Sequence, residues 1–416
     1  HTVTGALQLV NSLYDANGNL NQVDNSLTTV SNVYNYDALN RLDTANGTFG
    51  SQDFGYDKNG NRLQLLQDGA TLSYTYEANS NRLDVAANDD VVTDANGNIT
   101  TQGLWTYTHT AHNRLANVSN DSVQIGTYAY NGLGQRISKT VDSVTQNYLY
   151  SLNGELLQET DGTASVEYVY LNGQPLAVIQ QGTVYYLHND HLGTPRVVTD
   201  ASKTVVWRWD SDPFGSTAAN DDPDNDGTAF TLNLRFPGQY YDSETGLHYN
   251  YFRYYDPRTG RYITSDPIGL QGGLNTYWYV EGNPINSIDI YGLESYADDG
   301  EFGGAKPEEG VIYPGIVVQI GTTTYDYDYN RGGQWGQFPG AGFGAGFKIC
   351  YESHEGDSCE VKKEYSSNLK RPPDYYYLLF KYLGATISAD RKTVCYTFGW
   401  GQSYNLPVGG GWYLPD

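Results

Sequence analysis

The chain has 416 residues, with 39 Tyr and 47 Gly, no Met, only 17% charged residues and a net charge of −24. That charge excludes a molecule whose whole surface coats nucleic acid, and the aromatic content excludes a disordered chain. No apolar run reaches the ~20 residues of a spanning helix, and no signal peptide is visible. The absence of Met and the His at position 1 are expected of a piece excised from a longer polypeptide, with any export signal upstream. The charge is uneven: 14 basic and 32 acidic residues up to Leu293, then 10 basic and 16 acidic in the remainder. All three cysteines (Cys350, Cys359 and Cys395) follow that point, so disulfides do not hold the first part together. A Cys350–Cys359 bridge would leave one free thiol.

Residues 1–252 are repetitive. Tyr-Asp-Ala-Leu-Asn-Arg-Leu begins at Tyr36, Tyr-Asp-Lys-Asn-Gly-Asn-Arg-Leu at Tyr56 and Tyr-Glu-Ala-Asn-Ser-Asn-Arg-Leu at Tyr76, a step of 20 residues. Degenerate copies follow at Thr93–Ile99, His112–Leu115 and Tyr130–Arg136, and Tyr130, Tyr150 and Tyr170 restore the step. Each unit reads as strand, tight turn, strand. Tyr-x-Tyr places two rings on one face, and Asn-Gly-Asn supplies positive φ angles for the turn. One hairpin is marginal alone, so successive hairpins are expected to form one long antiparallel sheet that coils on itself.

Two polar clusters interrupt the pattern. His188 and His191 flank Asp190, but no further ligand follows at metal spacing, so they read as a hydrogen-bonded loop. Asp222, Asp224 and Asp226, followed by Gly227, alternate as in a calcium loop and make calcium the candidate cofactor. The twelfth position is Asn233 rather than the bidentate Glu of a full EF-hand; a solvated acidic loop is the alternative.

Residues 253–293 change character. Asp256-Pro257, Asp266-Pro267, Gln271-Gly-Gly273 and Asn283-Pro284 favour turns and extended chain over helix. Tyr254, Tyr255, Tyr277, Trp278 and Tyr279 crowd the same segment. A Gly/Pro-rich plug that closes the repeats is expected here.

After Leu293 the repeats stop. Val311–Tyr329 and Phe343–Tyr351 alternate as strands, Pro373–Leu383 reads as a short helix, and Val394–Leu406 as a last strand pair. A small α+β domain over 294–416 is expected. Gly340–Gly346 lacks the Lys-Ser/Thr of a P-loop. His354, with Glu352, Glu355 and Asp357 near it, is the candidate hydrolytic cluster, against a polar loop. Lys362, Lys363, Lys370, Arg371, Lys381, Arg391 and Lys392 would face an anionic partner, the acidic repeats or solvent.

The Tyr-Asp repeats resemble the Rhs/YD-repeat family of bacterial rearrangement-hotspot toxins, insecticidal-toxin C components and teneurins, over about residues 8–293. Tyr186–Asp200 and Trp207–Gly215 are similar to the end of the bacterial repeat core. Arg253-x-Tyr-Asp-Pro257, Gly260-Arg-Tyr-x-x-x-Asp-Pro-Ile-Gly-Leu270 and Asn283-Pro … Asp289-x-x-Gly-Leu293 are similar to its closing signature. The resemblance implies a secreted, mainly β polypeptide: a spiralling antiparallel YD-repeat β shell (1–252), a self-cleaving core-end junction (253–293) and a variable effector (294–416) enclosed by the shell. It also implies an immunity protein and a secretion-system component as partners. By the same resemblance, Arg253, Asp266 and Asp289 are the aspartyl-protease-like residues, and the scissile bond is Leu293–Glu294. Two carboxylates sharing a proton, with Arg holding one ionised, can activate water for peptide hydrolysis. Ile290 stands where the signature has Pro, which is expected to loosen the site. An extracellular structural or adhesive YD-repeat protein with a harmless C-terminal domain is the alternative function. Toxicity of residues 294–416 in bacteria, relieved by the product of the adjacent gene, discriminates the two.

Overall fold

A computed structural model describes residues 10–26, 30–297 and six strands beyond them: Ile316–Ile320, Thr323–Asp328, Gln334–Pro339, Gly342–Glu352, Tyr382–Ile387 and Thr393–Ser403. The chain divides into two units, His1–Phe302 and Gly303–Asp416.

In the first unit, twenty-one strands from Val10–Tyr14 to Val205–Arg208 form a single sheet. Each strand pairs antiparallel with its neighbours in sequence. The Tyr-Asp motif explains the turns. Asp37 Oδ1 accepts the amides of Leu39 and Arg41, and Asp57 Oδ1 those of Asn59 and Asn61. Asn131 and Ser151 do the same in copies that lack Asp. The Asx-turn thus needs a short side-chain acceptor rather than Asp itself. The fourth turn residue has positive φ, as at Asn40 (58°), Gly60 (81°) and Asn113 (57°), which favours Gly or Asn there.

The tyrosines fix the curvature. Tyr36 donates to the Leu20 carbonyl (2.6 Å), Tyr76 to Arg62 (2.8 Å) and Tyr130 to Leu115 (2.7 Å), so each ring bridges to the preceding repeat. A register shift recurs at Tyr36, Tyr56, Tyr76, Tyr130, Tyr150 and Tyr170. Bulges bend a strand and increase its twist, so a bulge in every repeat curls the sheet in one sense. Laid flat at ~4.8 Å per strand, so many strands would put the first and last tens of ångströms apart. Instead Asn286 bonds Leu20 and Tyr36 from the start of the sheet, while the Ile285 carbonyl accepts from His191 near its end (2.8 Å). The sheet therefore wraps round the segment that follows it.

That segment fills the inner face. Tyr34, Tyr74, Tyr107, Tyr128, Tyr148 and Tyr168, with Leu42, Leu83, Leu115 and Leu156 of the return strands, share one buried core with Trp209, Phe214, Phe236 and the tyrosines of 240–279. The meander ends at Arg208; four strands, Tyr240–Asp242, Leu247–Asn250, Arg253–Asp256 and Arg261–Tyr262, make a separate antiparallel sheet. One continuous sheet was expected to 252. Pro213, Pro223 and Pro237 break the chain between the two, since Pro cannot donate to a ladder. The small sheet also crosses residue 252, because Leu247–Asn250 pairs with Arg253–Asp256.

Arg136 ties the two sheets together. It is fully buried, pairs with Asp242, and lies over the rings of Tyr249 (4.5 Å), Tyr148 (4.8 Å) and Tyr240 (5.1 Å). Lys139 adds ion pairs to Asp242 (3.0 Å) and Glu244 (2.9 Å). Burial works to raise the Asp242 carboxyl, but Arg136 and Lys139 outweigh it and hold the group below the usual range.

In the second unit the six strands form an antiparallel sheet, with Ile316–Ile320 and Thr393–Ser403 flanking Gly342–Glu352. The expected helix over Pro373–Leu383 falls mostly outside the described residues; its last two positions, Tyr382 and Leu383, begin a strand. Val394–Leu406 was expected to be a strand pair, but 393–403 is one strand. Cys350 lies opposite Cys395 in the register, and Cys359 is outside the described residues.

Candidate functional site

The small sheet sets Arg253 at the start of its third strand, with its side chain aimed at the end of the wrapped segment. Arg253, Asp266 and Asp289 are 36 residues apart at their extremes, yet converge in the core with 3%, 6% and 2% exposure. One guanidinium nitrogen, Nη2, touches three groups. It lies 2.9 Å from Asp266 Oδ2, 3.4 Å from Asp289 Oδ2 and 3.3 Å from the carbonyl oxygen of Leu293. Nε donates to the Gly292 carbonyl (2.5 Å) and Nη1 to that of Thr276 (3.1 Å). The structure thus brings the three residues singled out in the sequence to the carbonyl singled out as scissile.

Other groups in the site had no spacing signal. Tyr262, fully buried, donates to Asp289 Oδ2 (2.6 Å) and carries the Arg253 guanidinium 3.6 Å above its ring. Asn250 donates to the Tyr262 hydroxyl (2.7 Å) and to the Asp289 carbonyl (2.9 Å). Thr276 accepts from both Arg253 and the Asp266 amide. Tyr262 sits in Gly-Arg-Tyr beside Asp266, which was the one available pointer to it.

The turn carrying the Leu293–Glu294 bond is held throughout. Asp289 Oδ1 accepts the Leu293 amide (2.9 Å), and the Tyr291 carbonyl accepts from Phe252 N (3.0 Å). Ile290 was expected to loosen this turn. Its backbone lies against Gly238, where a Cβ would fall 2.0 Å from the Ile290 oxygen, and the Asp289 and Tyr291 carbonyls on either side of it accept hydrogen bonds from Asn250 and Phe252. Leu293 is half-buried and Glu294 exposed.

Burial raises the Asp266 carboxyl to about 6, against the opposing pull of Arg253, with smaller upward pushes from Asp289 and Glu294. Burial also raises Asp289, opposed by Arg253 and by the Tyr262 hydrogen bond. Losing hydration costs the charged form more than one shared cation returns. The arrangement holds a titratable carboxyl near neutrality beside a carbonyl that a cation polarises.

The other candidates lie elsewhere. His188 bonds Thr199 (3.0 Å) and His191 bonds the Ile285 carbonyl, as expected of a structural loop. Asp222, Asp224 and Asp226 each bring a carboxylate oxygen within 4.8 Å of the others. Both oxygens of Asp222 accept backbone amides, from Asp226 and Gly227, and Asn233 donates to Tyr240. His354, Glu355 and Asp357 fall outside the described residues, as does the side chain of Glu352.

Comparisons with known proteins agree with this fold. The chain is 31% identical over 328 residues to double-stranded DNA deaminase toxin A of Burkholderia cenocepacia (strain H111), covering 68% of this chain and 22% of the relative. It is 32% identical over 255 residues to tRNA nuclease WapA of Bacillus subtilis (strain 168), covering 57% of this chain and 11% of the relative. Against toxin protein Tse5 of Pseudomonas aeruginosa it is 37% identical over 126 residues, 29% of this chain and 9% of the relative. The chain therefore spans about a fifth, or less, of the length of these relatives. Among solved structures, TcdB2-TccC3 without its hypervariable C-terminal region aligns with TM-score 0.58 at 23% identity, over 69% of this chain and 17% of that one. The Photorhabdus luminescens Tc holotoxin pore aligns equally well, with TM-score 0.58 at 22% identity, over 71% of this chain and 17% of that one. A teneurin YD-shell family model matches residues 7–280, and the chain belongs to that family.

Proposed function

We propose that this chain is the closing part of a secreted toxin shell that releases its C-terminal domain, residues 294–416, by cutting its own Leu293–Glu294 bond. The toxins among its relatives support the shell role, and the activities that name two of them, a deaminase and a tRNA nuclease, suggest a nucleic-acid-directed class of effector. One observation carries the self-cleavage: Arg253 Nη2 contacts the Asp266 carboxylate, the Asp289 carboxylate and the Leu293 carbonyl together.

The chemistry follows from those contacts. Ionised Asp266 takes a proton from a water, and the resulting hydroxide adds to the Leu293 carbonyl carbon. Charge develops on the Leu293 oxygen, where Arg253 is already aimed in a site shielded from solvent. The carbon–nitrogen bond then breaks, and the proton on Asp266 passes to the Glu294 nitrogen. Asp289 does not need to share that proton directly: its carboxylate holds the Leu293 amide and balances the Arg253 charge. Because the bond is part of the same chain, its placement replaces substrate binding.

The test compares wild type with Asp266→Asn on a denaturing gel. Wild type is expected to give two fragments, the smaller beginning at Glu294, and Asp266→Asn an intact chain, cleaved about 10²–10⁴-fold more slowly. An intact wild-type chain, indistinguishable from Asp266→Asn, overturns the reading.

A further inference from the structure

Gly272 ends the short 3-10 turn Gly269–Gly272, and no polar chemistry marks it. Its position is nevertheless unusual. A Cβ built on Gly272 would lie 2.4 Å from Asp266 Oδ2, 2.7 Å from the Leu293 carbonyl oxygen and 3.0 Å from Asp266 Cγ. A side chain at 272 would collide with both the carboxylate and the carbonyl. The carbonyl oxygen is backbone, held by Arg253, and Asp266 is held by Arg253 and by the Ile268 amide (2.9 Å), so neither can move aside cheaply.

The backbone does not explain a glycine here. Gly269 and Gly273 have positive φ (63° and 122°), which favours glycine at both, but Gly272 is not in that left-handed region. Alanine fits its local conformation. What alanine would change is the volume beside two oxygen atoms.

We infer that Gly272 is a positioning residue for the cleavage proposed above: its missing side chain lets the Asp266 carboxylate and the Leu293 carbonyl pack directly against its backbone, which keeps the base beside the bond to be cut. The inference rests on that self-cleavage reading. A methyl group at 272 would have to push the carboxylate, the carbonyl or both away from their present places.

The experiment uses the full chain with Gly272→Ala, scored for cleavage and for thermal unfolding, beside Asp266→Asn. Gly272→Ala is expected to remain intact, cleaving at least about a hundredfold more slowly than wild type, while melting within a few degrees of Asp266→Asn. If Asp266→Asn is blocked but Gly272→Ala cleaves at the wild-type rate, the close approach at Gly272 is not needed and the carboxylate reading stands. If Asp266→Asn cleaves normally, the self-cleavage reading itself fails. A crystal structure of uncleaved Asp266→Asn gives a test that does not depend on how Gly272→Ala folds. The residue-266 side chain and the Leu293 carbonyl are expected in direct contact with the Gly272 backbone. A gap or solvent between them and Gly272 contradicts the inference.

Discussion

At Asp266, burial favours the role proposed for it. A carboxyl with an ordinary pKa would be a weak base toward water near neutral pH, whereas one raised to about 6 is a stronger base that is still mostly ionised at pH 7. The proposed general-base role requires the ionised form. Cleavage is therefore expected to slow as pH falls through about 6, by roughly tenfold per unit below it, in a pH-jump time course of refolded chain. A rate that instead rises on acidification would assign Asp266 as an acid in the first step. The stability linkage has the opposite sense. Between 3.8 and about 6 the folded chain keeps a proton that the unfolded chain has released, so this group's contribution to stability declines as pH rises through that window. Arg253, Asp266 and Asp289 were legible as candidates because they lie in the specific closing signature that the sequence resembles. Asn250, Tyr262, Thr276 and Gly272 were not legible as members of the site, because their roles exist only once the small sheet sets residues 250–276 against 289–293. A hydrogen bond to a buried carboxylate, or the absence of a methyl group, has no spacing pattern.

Among the elements, the repeat hairpin was the most legible part of the chain. Tyr-Asp-x-x-Gly/Asn fixes the bulge, the Asx-turn and the bridging hydroxyl in order, and those three local features also set the curl. The boundary between the two sheets was less legible. Tyr240–Asp242 and Leu247–Asn250 have the same aromatic composition as the repeats; Pro213, Pro223 and Pro237 break the chain before them, but their pairing into a separate sheet is a tertiary feature. Arg136 is where the two sheets depend on each other. Arg136→Met would keep the apolar stem among the rings but leave Asp242 buried with Lys139 alone. Removing one partner of a buried pair costs about 3–5 kcal/mol, and denaturant unfolding in the cleavage-blocked Asp266→Asn background measures it. A loss under about 1 kcal/mol would mean that Lys139 and the tyrosines suffice.

Across the whole molecule, the first unit follows a single physical logic. A long meander has two exposed edges and one apolar face, and wrapping that face round its own C-terminal segment buries it. The same wrapping carries the end of that segment, with its Asp289–Leu293 turn, onto Arg253. Fold completion and assembly of the candidate site are thus one event, so cleavage would report that the wrapped segment has closed. The second unit was less legible, because alternating strands can be read from sequence but their partners cannot. Its described strands form one sheet, and the His354 cluster lies outside the described residues. The most direct measurement is the intact mass of purified wild-type chain under denaturing conditions. Two masses are expected, divided between Leu293 and Glu294 and summing to the 46.1 kDa chain plus one water. A single 46.1 kDa species after prolonged incubation at pH 7 to 8 would contradict self-cleavage at this site.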